Sequence, residues 1–209
     1  MDIKIIIKSM GSAFFIPFII NDVVIPLIVL GVKLNGSEYN VDQSVYMTTQ
    51  MFTPFLASLW IYLHLTKYID VKGNENYYIK NRSKLSEVLK LYVVYIATNT
   101  IFFVWYSSIN KKYILEWLHI IIMSFVFVAA AYFFSYLFRS ISLALIPSFL
   151  YLIATITELN PTFSKISFYE YDGMTDNQLF SKYILFVIIA IFLMGIGNIL
   201  NKNFREYNL

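Results

Sequence analysis

Residues 118–138 read LHIIIMSFVFVAAAYFFSYLF: 21 consecutive positions with no formally charged side chain and only one histidine. An α-helix rises about 1.5 Å per residue, so this stretch reaches across about 30 Å of hydrocarbon. Its apolar residues fall on every side of a helix rather than on one stripe, the pattern of a helix enclosed by membrane or protein. Working outward, five more stretches carry the same signature: Gly11 to Val32, Val45 to Thr66, Leu89 to Ile109, Ser142 to Thr157 and Tyr183 to Leu200. The fifth span in chain order, from Ser142, is short, and the first is interrupted by polar residues.

Composition agrees with this reading. Of 209 residues 58% are hydrophobic, 19% aromatic and only 14% charged, against about a quarter charged in soluble domains. There is no cysteine, which removes disulfides, thiolate metal sites and thiol nucleophiles from consideration. Residue usage rich in Ile, Lys, Asn, Tyr and Phe is associated with AT-rich bacterial genomes. Lys4 and Lys8 precede the first apolar stretch as they would in a signal peptide. Asp22 interrupts that stretch and no small-residue cleavage site follows, so we read a retained first helix. Ile3, Ile5, Ile6 and Ile7 form an interfacial turn before it.

Basic residues orient the chain. With the N-terminus inside, eleven lie on the cytoplasmic side: Lys4, Lys8, Lys67, Lys72, Lys80, Arg82, Lys84, Lys90, Arg139, Lys202 and Arg205. Five lie outside: Lys33, Lys111, Lys112, Lys165 and Lys182. Both termini are then cytoplasmic. The expected fold is all-α, a single polytopic membrane domain over 1–209 with six transmembrane helices. Two connections are long, a cytoplasmic loop at 67–90 and an extracellular loop at 158–182, and long connections tend to carry function.

Within the spans, Asp22 is the sharpest residue, because an acid in mid-membrane costs several kcal/mol and is usually functional or paired. Pro26 cannot donate to the Asp22 carbonyl, nor Pro17 to that of Ala13, so the first helix should kink or unwind around Asn21 and Asp22. Asp22, Asn21, Gln50 and Asn99 are the expected polar lining of a substrate path; the bland reading of the amides is interhelical hydrogen bonding. Gly195 and Gly197 are expected to allow close helix packing. His64 and His119 sit near opposite ends, so no metal site is expected. HExxH and GxxxxGK[ST] are absent, which leaves no zincin motif and no phosphate-cradling loop. No nucleic-acid module is present, and topology accounts for the basic residues.

The cytoplasmic stretch YIDVKGNENYYIKNRSKLSEVLK, Tyr68 to Lys90, turns at Gly73 and Asn74 and then interleaves apolar-aromatic with basic residues. Together with the span pattern it resembles the permease subunits of ABC-2 type transporters. Asp70, Gly73, Glu75, Arg82 and Lys90 fall where that family places an acid, a glycine, a coupling helix and a basic residue. FFSYLFRSISLALIPSF, Phe133 to Phe149, is similar to the family's turn between helices four and five, and NKNFRE, Asn201 to Glu206, resembles its basic tail. Small permeases of this kind occur in bacteriocin or lantibiotic immunity and peptide export. The resemblance implies an ATP-driven exporter of a peptide, antimicrobial or lipid-like substrate, not itself an enzyme. It implies a separate ABC ATPase in two copies that binds ATP and Mg, a second permease copy, identical or paralogous, and a cell-membrane location. It also implies an ATPase-coupling set of Glu75, Tyr77, Tyr78, Arg82, Lys84 and Leu85. The alternative expectation is a non-transporting immunity or interaction protein that binds its ligand through the outer loop.

Overall fold

The computed structural model describes residues 3–36, 38–71, 83–156, 167–170, 175 and 179–204. Among these every regular element is helical. The first 33 residues described form one broken rod: α1 (Ile3–Met10), a 3₁₀ turn (Gly11–Phe14), α2 (Phe15–Ile19), a π-helical segment (Ile20–Val24) and α3 (Ile25–Asn35). Then follow α4 (Glu38–Ile69), α5 (Leu85–Ile109), α6 (Tyr113–Phe138), α7 (Ile141–Ile156) and, after a π turn (Leu179–Tyr183), α8 (Ile184–Asn203).

Four of these rods are long and apolar enough to cross a membrane: Ile3–Asn35, Leu85–Ser108, Tyr113–Phe138 and Ser181–Asn203. The chain therefore has the build of a membrane protein. The apolar helix Ile141–Ala154 is shorter. α4 is long enough, at 32 residues, but is too polar to join the four. Its Thr49, Gln50, Thr53, Ser58 and His64 are all buried, so its polarity faces the other helices.

α6, which contains the charge-free run 118–138, is the hub. It packs against α4, α5, α7 and α8, and 61% of its apolar window is buried, against 22–33% for the other three rods. Ala129, Ala131, Ser124 and Ser135 are fully enclosed, which lets neighbouring backbones approach. The outward faces of the remaining rods keep Phe15, Ile19, Ile101, Val104, Ile188 and Phe192 exposed, as a lipid-facing surface requires.

Pro26 shapes the first rod as its chemistry dictates. Because Pro26 has no N–H for the Asp22 carbonyl, the ladder slips by one residue, and the Ile25 N–H donates to the Ile20 carbonyl five positions back. The second break is Gly11, whose φ of +60° lies in the left-handed region that costs a side chain roughly 1–2 kcal/mol. A Cβ there meets nothing within 4 Å, so the cost is backbone strain alone. Gly11→Ala is expected to destabilise the fold by about 1 kcal/mol, read as a lower melting temperature in detergent. Gly31→Ala, with open space and no positive φ, should be neutral or slightly stabilising.

α6 ends at Arg139, the one non-glycine residue with positive φ among those described (53°). This left-handed residue reverses the chain into α7. Asp70, just past α4, accepts a hydrogen bond from the Ile141 N–H at 3.3 Å, satisfying an orphan donor at the start of α7.

Candidate functional site

Three buried polar clusters lie along the bundle. The middle one is built by the π-helical segment. Its backbone slip turns Asn21 and Asp22 inward together, leaving them 4% and 6% exposed. Asn21 Nδ2 donates to Asp22 Oδ1 at 3.0 Å and also to Asn99 Oδ1 on α5. Asn99 Nδ2 in turn donates to the Tyr95 carbonyl at 2.7 Å, and the Tyr95 hydroxyl to the Thr53 carbonyl at 2.6 Å. The π-helical segment, α4 and α5 are thus joined through one polar chain. Asn21 Oδ1, Asp22 Oδ2 and the Tyr106 hydroxyl are buried there without a hydrogen-bond partner. Two oxygens with unused lone pairs, one from a carboxylate, can accept from water or from a cationic or hydrogen-bond-donating group. π-Helical segments are frequent at functional sites.

Of the four polar residues expected along a path, the structure brings together Asn21, Asp22 and Asn99. Gln50 goes elsewhere. Its Oε1 accepts from the Glu170 N–H at 2.8 Å and its Nε2 donates to the Glu170 carbonyl at 3.3 Å, as an adjacent strand would. Around this clamp lies the second cluster. Lys182 Nζ and the Tyr183 hydroxyl donate to Glu170 Oε1 at 2.7 and 3.1 Å. At the same end Lys112 and the Tyr113 hydroxyl both bond the Asp42 carboxylate. Between them, Glu116 and His119 on α6 are fully buried, with Oε2 and Nδ1 3.6 Å apart. The His119 ring lies edge-on to Tyr183, centroids 4.6 Å apart.

The third cluster lies at the opposite end and joins α4 to α5 on either side of residues 72–82. His64 Nε2 contacts Glu87 Oε2 at 3.0 Å, and the Tyr68 hydroxyl donates to the same oxygen at 2.8 Å. Lys84 Nζ lies 4.5 Å from the centre of the Tyr68 ring. Glu87, Lys84 and His64 are each at most 2% exposed. Burial lowers the pKa of Lys84, and the Glu87 carboxylate works against that shift. Lys67 reaches across to Ser9 on α1, and Ser83 donates to Asn198 on α8 at 2.6 Å. Four rods are therefore tied together at this end.

Of the expected coupling set, Lys84 and Leu85 lie among the described residues. Lys84 is turned inward onto Tyr68, and Leu85 packs against the core. Glu75, Tyr77, Tyr78 and Arg82 lie outside the described residues. Each histidine has a glutamate beside it, His64 with Glu87 and His119 with Glu116. Glu116 was detectable in principle, since positions three apart share a helix face. Glu87 is 23 residues from His64 and had no such signal. Among the described residues neither pair gains a third His, Cys, Asp or Glu ligand.

No protein-family model, curated protein or solved structure matches this chain. The functional reading therefore rests on its own residues.

Proposed function

We propose that this chain is the membrane-embedded permease subunit of an ATP-driven exporter of the ABC-2 type, crossing a bacterial cell membrane six times with both termini inside. The observation that carries this reading is the buried His64–Glu87–Tyr68 network with Lys84. A partner ATPase that moves residues 72–82 would move α4 and α5 as one piece, because their adjoining ends are fastened inside the protein. Lys67–Ser9 and Ser83–Asn198 would carry the same displacement to the first and last rods. Rigid-body tilting of fastened helices is a known way to turn a local closure into a change of access. The Asn21–Asp22–Asn99 cluster would then meet the cargo, and its unused carboxylate oxygen favours a cationic peptide over an anionic one.

The alternation of basic residues supports the orientation. α4 and α7, outside the four most apolar rods, would cross as bundle-buried and short spans respectively. The substrate is a peptide, antimicrobial or lipid-like molecule, and a second permease copy completes the path.

The test is purification from native membranes with quantification of every stoichiometric subunit. An ATPase is expected at one copy per permease chain, and Tyr77→Asp with Tyr78→Asp should lower its recovery about tenfold or more while the membrane protein stays folded. Stoichiometric recovery of the permease alone, with its activity intact, would sink the reading. The Gln50 clamp on Glu170 favours a second reading, in which the tethered outer segment 158–182 binds a ligand and nothing is transported. Deleting 171–178 should then abolish protection, while the 72–82 substitutions leave it unchanged.

A further inference from the structure

We propose that Glu116 and His119 of α6 form a proton-binding site, enclosed beneath Tyr183 and holding one proton between the carboxylate and the imidazole. Positions three apart share a helix face, and both side chains are fully buried. Glu116 Oε2 and His119 Nδ1 lie 3.6 Å apart, just outside hydrogen-bond range. Neither group has a hydrogen bond from the rest of the described chain: Oε1 and Oε2 of Glu116 and Nδ1 and Nε2 of His119 are all enclosed without one. Four bare polar atoms within one helical turn are costly. A proton between Oε2 and Nδ1 turns the near contact into a charge-assisted bond after the two atoms close by under about 1 Å.

The charges around the pair decide what it holds. At this end of the bundle Lys112 pairs with Asp42, Lys182 pairs with Glu170 at 2.7 Å, and Lys111 is exposed. Among the described residues this leaves His119 to offset the charge of Glu116. The other titratable groups are tyrosines, which are neutral near neutral pH. Tyr46 of α4, Tyr113 of α6 and Tyr183 lie within electrostatic reach of Glu116. Tyr106 of α5 stands behind Tyr113, and Tyr151 of α7 behind Tyr183. α8 opens with an apolar run, Ile184 to Met194, and brings no titratable group. A carboxylate facing a neutral imidazole would leave a net negative charge in this interior, and an acid facing an imidazolium a net positive one. A single shared proton gives zero, whether it rests on oxygen or on nitrogen. A metal ion suits the pair less well, because among the described residues no third His, Cys, Asp or Glu joins it. Tyr183 closes the site. Its ring stands edge-on to His119 with centroids 4.6 Å apart, and its hydroxyl donates to Glu170. The proton exchanges with water when that tie opens.

The experiment is NMR of the full chain in detergent at neutral pH, with isotope labels in the histidine nitrogens and the glutamate carboxyl carbons. Nitrogen shifts distinguish neutral imidazole from imidazolium, and carboxyl shifts distinguish acid from carboxylate. No ATPase is needed, so the outcome is independent of the transport reading. His119→Gln and Glu116→Gln assign the two signals by their loss. If neither variant folds, a through-space correlation between the two side chains assigns them in the unaltered protein. A single proton on the pair is expected, where a solvent-exposed pair with pKa values of about 4.3 and 6.5 would hold little or none. The imidazole should be neutral in Glu116→Gln, and Glu116 should be an uncharged acid in His119→Gln. Tyr183→Ala, which uncovers the pair, should release the shared proton at the same pH; retention there would overturn the enclosure by Tyr183. An ionised Glu116 beside a neutral His119 in the unaltered protein, two protons on the pair, or a bound metal ion would overturn the site.

Discussion

Glu87→Ala is expected to destabilise the folded bundle by about 3–5 kcal/mol, the cost of removing one partner from a buried charged network. Glu87 Oε2 is the shared acceptor for the Tyr68 hydroxyl and the contact of His64 Nε2. Without it, His64 keeps neither ring nitrogen bonded, since Nδ1 already lacks a partner. The Tyr68 hydroxyl loses this acceptor, and Lys84 loses the carboxylate that offsets its burial. In a chain of this size such a loss corresponds to a melting temperature lower by about 10 °C. Glu87→Gln, which retains an oxygen for Tyr68 but not the charge, should fall between wild type and alanine. The network can be separated from simple packing by a double-mutant cycle with His64→Ala. A coupling energy near zero would show that the two residues do not act together. If the coupling proposal also holds, partner ATPase activity should become uncoupled from transport in Glu87→Gln before the protein ceases to fold.

The second large effect is expected at Gly197, where α8 crosses α6. A Cβ built there lies 2.9 Å from Tyr132 Cδ1 and 3.2 Å from the Phe133 Cα. The ring cannot swing away cheaply. Tyr132 is fully buried, its hydroxyl accepts from Asn201 Nδ2 at 2.9 Å, and its ring meets Tyr136 edge-on. The Phe133 Cα is backbone of the central helix, so relief requires the two helices to separate. Gly197→Ala should cost about 1–3 kcal/mol, the usual range for overpacking, and Gly197→Leu considerably more. Gly195 is the internal control. Nothing lies within 4 Å of its Cβ position, so Gly195→Ala should be neutral or gain from better helix propensity. Thermal unfolding of both variants in one detergent decides the matter; equal melting temperatures would refute the close contact.

These two glycines also show where one-dimensional reading stops. Both sit in the same apolar stretch, two positions apart, and both were expected to permit close approach. Two positions on a helix point roughly 200° apart, so only one can face a given neighbour. Which one depends on how α8 is rotated against α6. Gln50, Asn21 and Asn99 make the same point. Asn21 and Asn99 bond to each other across helices, yet Gln50 meets the backbone of Glu170 in the outer segment rather than the polar chain at Asp22. Depth along the rod decided its partner, and depth follows from where α4 begins. The family resemblance placed Lys84 and Leu85 in a coupling set. An aromatic ring and a buried carboxylate from another part of the chain draw Lys84 inward instead.

The run at 118–138 needed no tertiary information to be read as a helix surrounded by apolar matter, because the requirement is local: every side is hydrophobic and every backbone group bonds within the segment. The same holds for the break near Asp22. A proline lacks a donor wherever the helix is placed, and the π-helical segment at Ile20–Val24 follows from that deficit. Which helix occupies the centre was not local. α6 is enclosed by four neighbours while equally apolar rods lie at the periphery, because small residues and a matching glycine let partners approach it. Nor were the three polar clusters local, since their members come from segments up to 120 residues apart in sequence. Pairing buried polar atoms is a problem that only the assembled bundle can solve, and its solution determined which acids, amides and histidines became neighbours.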